Sequence, residues 1–406
     1  MERYRDSMSV DGKHVLMLGL GIHGGGASTV RWLLRHGAYV RITDLKTRRE
    51  LASSIKTLPK HSRITFSLGG HRLADLQGID LVVQNPGVPA HSPFLREIRK
   101  RKIPIVNEAV LFLCNAKGVV VGVTGTKGKS TVTALIGSVV RQQYGQRVFV
   151  GGNIKTTPML DILDRLHKRS IAVIEFSSWH LEAFKHVKTS PHIAVVTNLL
   201  DDHLNRYRHR NAYYQAKSLI WKWQTKDDVV ILNHDNVPSR SWHKQIPGRP
   251  LWFSQHSFGR GNGAFFDGNK LCVRRKNKVK TLATTNDLHI PGQHNMMNAL
   301  PAVLVADLLG VPAKKIQQGL HAFHGLSGRL EKVAVKSGVA YYNDTTATAP
   351  AATIAALESF PKQTVLIAGG AEKNLPMEKM AEEIKKRAKT VLLLPGTATD
   401  MLARLL

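Results

Sequence analysis

Three shortages in the sequence each exclude a class of protein. The only cysteines are Cys114 and Cys272, too few for a disulfide scaffold or a cysteine metal site, and both suit a reducing compartment. No apolar run approaches the roughly 20 residues that span a bilayer. The N-terminal Met1-Glu2-Arg3-Tyr4-Arg5-Asp6 mixes charges where a secretory signal needs an apolar core. A soluble, cytoplasmic protein is expected. Acidic residues are the third shortage: 29 Asp and Glu against 58 Lys and Arg leave a formal charge of +29. That balance suits a polyanionic partner. Yet the cations are spread along the chain, and the runs Arg96 to Lys102, Arg274 to Lys280 and Lys385 to Lys389 lack interleaved aromatics. A basic solvated surface is the simpler reading, with neither nucleic acid nor membrane as a partner.

What is present is a globular composition, 43% hydrophobic and 21% charged. At roughly 100–200 residues per domain, a chain of 406 residues holds two to four domains, and three are expected. Short β-branched runs alternate with helical stretches, which predicts an α/β fold with parallel sheets. Strands are expected at Val15 to Gly19, Tyr39 to Thr43 and Leu81 to Gln84 in a first group. A second group comprises Gly118 to Thr124, Ile171 to Phe176, His192 to Asn198 and Asp228 to Asn233, and a third Val339 to Tyr342, Thr364 to Ala368 and Thr390 to Leu394. The grouping sets domains at 1–107, 108–324 and 325–406.

Two phosphate loops stand out. Gly19-Leu20-Gly21-Ile22-His23-Gly24 follows a strand, precedes the helical pattern Ala27 to His36, and is answered by Asp44 at the next strand's end. This fits a Rossmann-type fingerprint, in which glycines let backbone amides approach a pyrophosphate and the acid takes ribose hydroxyls. A tight turn without ligand is the alternative. The second loop, Gly122-Val123-Thr124-Gly125-Thr126-Lys127-Gly128-Lys129-Ser130-Thr131, keeps the chemical end of a P-loop. Gly128 lets the backbone wrap phosphates, Lys129 neutralises the β- and γ-phosphates, and the Ser130 hydroxyl reaches Mg²⁺. A dehydrogenase uses only the first loop, whereas a ligase uses both.

Further on, Glu175 ends an apolar strand, where a sheet carrying a P-loop wants a Mg²⁺ ligand. The segment Asn198-Leu199-Leu200-Asp201-Asp202-His203 brings a histidine to the same edge, suited to a metal or a carboxylate.

These segments, with Gly151-Gly152-Asn153-Ile154, Glu175 to Glu182, Gly292 to Ala299, Gly325 to Glu331 and Asn343 to Thr348, fall in the order seen in Mur ligases. The sequence resembles that family from Gly19 to about Lys373, and within it the D-glutamate-adding member. The resemblance implies a Rossmann-like first domain for UDP, a P-loop mononucleotide-binding central domain, and a Rossmann-like third domain, here shortened, for the amino acid. It implies an enzyme that joins D-glutamate to UDP-N-acetylmuramoyl-L-alanine through an acyl phosphate, using ATP and Mg²⁺, for which Mn²⁺ can substitute, and acting as a monomer.

Carried over residue by residue, Gly21, Ile22, His23, Gly24, Asp44, Leu45, Lys46, Asn85, Pro86 and Gly87 fall where the family contacts UDP. Asn153 and His203 match the muramoyl-alanine end, with Ser177 among the substrate contacts. Gly125, Thr126, Lys127, Gly128, Lys129, Ser130 and Thr131 match the ATP loop. Asn295 and Asn298 match adenine contacts, Arg329 and Asp344 phosphate and ribose contacts, and Thr348 and Lys373 contacts to the amino-acid α-carboxylate. Lys217 matches a lysine that the family carries as a carbamate. The catalytic set is then Lys129, Glu175, His203 and Lys217, with Ser130, Glu175, His203 and Lys217 around the metal.

The sequence departs from the family pattern at Thr346, where a lysine is usual, at Gly328, where a histidine precedes Arg329, and at Lys155, where a small residue is common. Contacts to the glutamate side-chain carboxylate have no counterpart before Leu406, so UDP-substrate and ATP binding with weak D-glutamate discrimination is expected, together with an uncovered sheet edge and exposed apolar surface there. Two alternatives stay open: a ligase for another amino acid, and a catalytically weakened UDP-sugar-binding homologue.

Overall fold

The computed structural model describes residues 8–89, 91–153, 157–202, 206–207, 209–259, 261–360, 364–372 and 375–406. Lys155, His203 and Lys373 lie outside them. The chain forms two compact units. The first holds residues 1–133, 144–202 and 209–252, and the second residues 134–143, 203–208 and 253–406. Residues 1–107 lie wholly within the first unit.

The first unit contains a five-stranded parallel sheet of β1 (His14–Leu18), β2 (Tyr39–Asp44), β3 (Ile64–Leu68), β4 (Leu81–Gln84) and β5 (Ile105–Val106). Its order is β3-β2-β1-β4-β5. Val15, Leu16, Met17 and Leu18 of β1 are all buried, the continuous apolar run of a strand covered on both faces. Strand order reverses at β1, so the segments after β1 and β4 emerge side by side, where open α/β sheets bind ligands.

A second set follows: β6 (Val119–Thr124), β7 (Val148–Gly152), β8 (Ile171–Glu175), β9 (Ile193–Val196), β10 (Val229–Asn233) and β11 (Arg249–Ser254), in the order β11-β10-β9-β6-β8-β7. Strand β6 pairs in parallel with β8 on one side and β9 on the other. A second reversal thus puts the P-loop between the carboxyl ends of β8 and β9. The two sheets are tied through helices: Arg31 of helix Gly25–Arg35 pairs with Asp161 of helix Met159–Leu163 at 3.1 Å, and Trp32 Nε1 donates to Asp164 Oδ1 at 3.2 Å.

In the second unit β12 (Gly263–Asp267), β13 (Lys270–Arg275) and β14 (Lys278–Thr284) form an antiparallel meander. Lys276 and Asn277 turn its second hairpin with φ of 48° and 64°, the left-handed pair that two-residue hairpin loops require. The basic run Arg274 to Lys280 is thus the tip of a hairpin. Strands β15 (Glu331–Lys336) and β16 (Val339–Asn343) make another. Finally β17 (Thr364–Ala368) pairs in parallel with β18 (Ala388–Leu393). One face of this pair packs on Leu357, Met380, Ile384 and Leu402, while Val365, Ile367, Leu392 and Leu394 are exposed.

The cysteines give a check on the packing. Burial pushes the Cys114 thiol up to about 11, and Cys272 is buried in β13. Since the thiolate is the nucleophile, only about one Cys114 in a thousand is reactive at pH 8. The native protein should resist iodoacetamide at that pH and take up two labels once unfolded in urea, read by intact mass. Rapid labelling of the native protein would contradict the packing of helix Glu108–Asn115.

Candidate active site

The loop after β1 is shaped by glycines and one carboxylate. Gly19, Gly21 and Gly24 have φ of 84°, 65° and 88°, where L side chains are strained, and a Cβ on Gly26 would run into the Leu20 carbonyl. Asp44 is buried at the end of β2. Its Oδ2 accepts from Leu20 N at 2.8 Å and Gly21 N at 3.1 Å, and its Oδ1 from Lys46 N at 2.9 Å. The carboxylate therefore braces the loop from within. Across the reversal, Asn85 N donates to Leu18 O at 2.9 Å, and its side chain stands against Gly19 and Gly21. Pro86 and Gly87 follow. Ile22, His23 and Leu45 are exposed at the tips of the two loops.

The P-loop is held from three sides. Thr126 N donates to Asn198 O and Lys127 N to Asn198 Oδ1, both at 2.9 Å, so the segment after β9 clamps the loop backbone. Lys127 Nζ pairs with Asp202 Oδ2 at 3.1 Å. Lys129 Nζ donates to Thr126 O at 2.9 Å, so this lysine lies over its own loop. Gly125 and Gly128 have φ of 145° and 82°, and a Cβ on Gly125 would collide with Thr197 Oγ1. Ser130 and Thr131 are buried in the first turn of helix Lys129–Tyr144.

Glu175, at the end of β8, is 1% exposed. Its Oε1 accepts from Asn153 Nδ2 at 3.0 Å, while Oε2 is buried with no hydrogen-bond partner among the described residues. Asn153 N also donates to Glu175 O at 3.0 Å. Two residues on, Ser177 Oγ accepts from His180 N at 3.2 Å and caps helix Ser178–Leu181. Lys217, on helix Arg210–Ser218, is fully buried. Its Nζ donates to Gly125 O at 2.7 Å and lies 4.5 Å from the Tyr213 ring centre. Burial, then the Lys129 charge, holds this amine well below the ordinary lysine value, against the pull of Asp202 and Glu175.

The structure thus brings together Gly125 to Thr131, Asn153, Glu175, Ser177 and Lys217. An orphaned buried carboxylate oxygen at the end of β8, the strand that pairs with the P-loop strand β6, is a fitting start for a hard divalent cation. Among the described residues no three His, Cys, Asp or Glu side chains form a metal cluster. Phosphate oxygens and water would have to complete the shell, as is usual for Mg²⁺ at a nucleotide. The sequence reading missed the clamping role of Asn198, the Lys127–Asp202 pair and Tyr213. Asn198 and Asp202 stood within a segment already singled out, while Tyr213 had no local signal.

In the second unit, Asn295 is buried and donates to Pro291 O at 2.6 Å, and Asn298 donates to Asn295 Oδ1 at 3.3 Å. The segments Gly325 to Glu331 and Asn343 to Thr348 come together. Asp344 Oδ1 accepts from Leu330 N at 3.0 Å, and burial raises this carboxyl against the nearby Arg329. Thr346 Oγ1 donates to Gly328 O at 2.6 Å, so two departures from the family pattern contact each other. Thr348 follows on the same segment, before helix Pro350–Glu358.

Residues 13–107 match the model of the Mur ligase MurD-like N-terminal domain, and residues 123–306 that of the Mur ligase middle domain. A curated protein of Roseiflexus sp. (strain RS-1), named UDP-N-acetylmuramoylalanine–D-glutamate ligase, is 38% identical over 98% of this chain and 86% of its own length. The chain belongs to the Mur ligase family. A protein of the same name from Koribacter versatilis is 35% identical over 97% of this chain and 85% of its own. Among solved structures, UDP-N-acetylmuramate-alanine ligase MurC from Thermotoga maritima aligns with a TM-score of 0.60 at 19% identity, covering 97% of this chain and 88% of that one. MurF ligase from Thermotoga maritima in complex with ADP aligns with a TM-score of 0.56 at 18% identity, covering 98% and 90%. As a Mur ligase the chain is an ATP-dependent, amide-bond-forming enzyme.

Lys217 yields a pH test. Burial makes the folded amine release its proton at a lower pH than the unfolded chain, which keeps it up to the ordinary value of 10.5. Between its lowered value and 10.5 the unfolded state binds the extra proton, so stability rises with pH. In CO₂-free buffer, the unfolding free energy of wild type relative to Lys217→Met should climb as the pH rises toward 10, by at most about 1.4 kcal/mol per pH unit. A flat difference would mean that the amine keeps its proton when folded.

Proposed function

We propose that this chain joins D-glutamate to the L-alanine carboxylate of UDP-N-acetylmuramoyl-L-alanine, releasing ADP and phosphate, as a cytoplasmic monomer in peptidoglycan precursor synthesis. The observation that carries the reading is the meeting, at the reversal around β6, of Lys129, the orphaned oxygen of Glu175 and the buried amine of Lys217. Activating a carboxylate demands such a place, because its oxygen leaves only after phosphorylation. ATP supplies the phosphoryl group, the D-glutamate amine attacks the acyl phosphate, and the tetrahedral intermediate collapses to an amide with loss of phosphate.

Work then divides among three stretches, 1–107, 108–324 and 325–406. The loops Gly21 to Gly24, Asp44 to Lys46 and Asn85 to Gly87 receive UDP, with the exposed Ile22 and Leu45 offering apolar surface to the base. Asn153, Ser177 and His203 hold the muramoyl-alanine end. Asn295, Asn298, Arg329 and Asp344 serve the nucleotide, and Thr348 and Lys373 the amino-acid carboxylate. Lys129 leaves the Thr126 carbonyl to meet the β- and γ-phosphates, and the amides around Gly128 line the transferring group. Glu175, Ser130, His203 and Lys217 would hold the divalent cation, which when bound would spread the charge of phosphoryl transfer. An amine that has shed its proton can attack CO₂: the N–C bond forms, a proton leaves to solvent, and Lys217 becomes a carbamate anion facing Glu175.

Phosphate release with UDP-N-acetylmuramoyl-L-alanine and ATP should be faster with D-glutamate than with D-aspartate, L-glutamate or L-alanine. Equal or faster release with another amino acid would overturn the substrate assignment. Lys129→Ala should cut release by about 10²–10³-fold while binding of the UDP substrate, read by calorimetry, persists. Lys217→Ala should lose most turnover and regain part of it with short-chain carboxylic acids. Unchanged turnover in that variant would make Lys217 a purely structural lysine.

A further inference from the structure

One pair in the first unit, buried His180 with partly buried Glu108, links the region of the first glycine loop to the turn after β8. Glu108 opens helix Glu108–Asn115 behind its N-cap Asn107, and its carboxylate lies against the start of helix Gly25–Arg35. A Cβ on Gly25 would stand 3.3 Å from Oε2 and 3.4 Å from Oε1. Oε1 meets His180 Nε2 at 3.0 Å, and Oε2 is buried with no hydrogen-bond partner among the described residues. The carboxylate also forms one wall of a cleft shared with Gly25, Thr29, Asn85 and Pro86, between the loops after β1 and β4.

On the other side, the His180 ring is 4% exposed. Its Nδ1 accepts from Ser177 N at 3.3 Å, so the ring proton sits on Nε2 and is donated to Glu108. Asn107 Nδ2 adds a tie to His180 O at 2.9 Å. Ser177 lies two residues after Glu175, in the turn that closes β8. A continuous path therefore runs from Gly25 through Glu108, His180 and Ser177 to Glu175.

Truncating either member disturbs both ends. Without His180 the carboxylate stays buried with neither oxygen partnered, which is costly, and its escape is toward Gly25. Without Glu108 the imidazole is released, and the Ser177 amide loses a fixed acceptor.

We propose that Glu108 and His180 are positioning residues that set the first glycine loop and the Glu175–Ser177 turn relative to each other, so that UDP-substrate binding and turnover are tuned by one contact. The turnover arm of the test rests on the ligase reading; the exchange arm does not. In His180→Ala, kcat should fall about 10–100-fold, as when groups that orient metal ligands are lost. KM for the UDP substrate should rise while KM for ATP stays within about twofold. Gln keeps an N–H for Glu108, so His180→Gln should recover most of the kcat. Because the two residues act as a unit, Glu108→Ala/His180→Ala should be hardly worse than His180→Ala alone. Hydrogen exchange of His180→Ala should show lost protection both at 25–30 and at 175–181. Multiplying losses in the double variant, a Gln variant as poor as Ala, or deprotection confined to 178–182 would each overturn the proposal. A wild-type chain that releases no phosphate would sink the ligase reading instead, and the exchange pattern would still decide on this pair.

Discussion

An ammonium ion taken out of water costs several kcal/mol unless it is matched by charge or gives up its proton. Lys217 sits where that choice is forced. Its amine is enclosed by helix Arg210–Ser218, the Tyr213 ring and the Gly125 carbonyl, with two other lysines nearby opposing a further positive charge. Donating to Gly125 O ties the helix to the P-loop. The Asn198 clamp and the Lys127–Asp202 pair fix the same loop from the β9 side. The loop is thereby shaped before any nucleotide arrives, which lowers the entropy lost on binding and leaves less to reorganise during phosphoryl transfer.

The same economy governs the first loop. Asp44 answers three backbone amides and so braces the loop from within. Both loops hang on central strands whose neighbours run in opposite sequence directions, and both depend on positions where any side chain would collide: Gly26 with Leu20 O, and Gly125 with Thr197 Oγ1. Glycine is required at these two positions by the closeness of neighbouring atoms.

Much of this was readable from residues alone. Strands β1, β6 and β8 announce themselves because each carries a buried apolar run, and the P-loop because phosphate chemistry dictates glycine, lysine and hydroxyl at fixed spacing. Glu175 was legible as an acid at a strand end. Other elements hide for physical reasons. β14, Lys-Val-Lys-Thr-Leu-Ala-Thr, has its first half in solvent and reads as a basic run. β15 holds an exposed Val-Ala-Val between charged ends, and β7 ends in a glycine pair that reads as a loop. Side-chain partners are harder still. Glu108 and His180 are 72 residues apart, and nothing near either one in sequence announces the other. The Thr346 contact with Gly328 likewise emerges only when two distant segments fold together.

The bare face of the β17–β18 pair has a consequence for the protein in solution. Val365, Ile367, Leu392 and Leu394 present apolar surface on a molecule whose formal charge is +29. At low ionic strength, mutual repulsion keeps such molecules apart. Once the Debye length shrinks to about 3 Å near 1 M salt, that repulsion no longer reaches a neighbour, while excluded salts strengthen the attraction between apolar faces. Colloidal stability of this chain is therefore set by ionic strength, with dilute buffers favouring dispersed molecules and concentrated sulfate or phosphate favouring association through the open sheet.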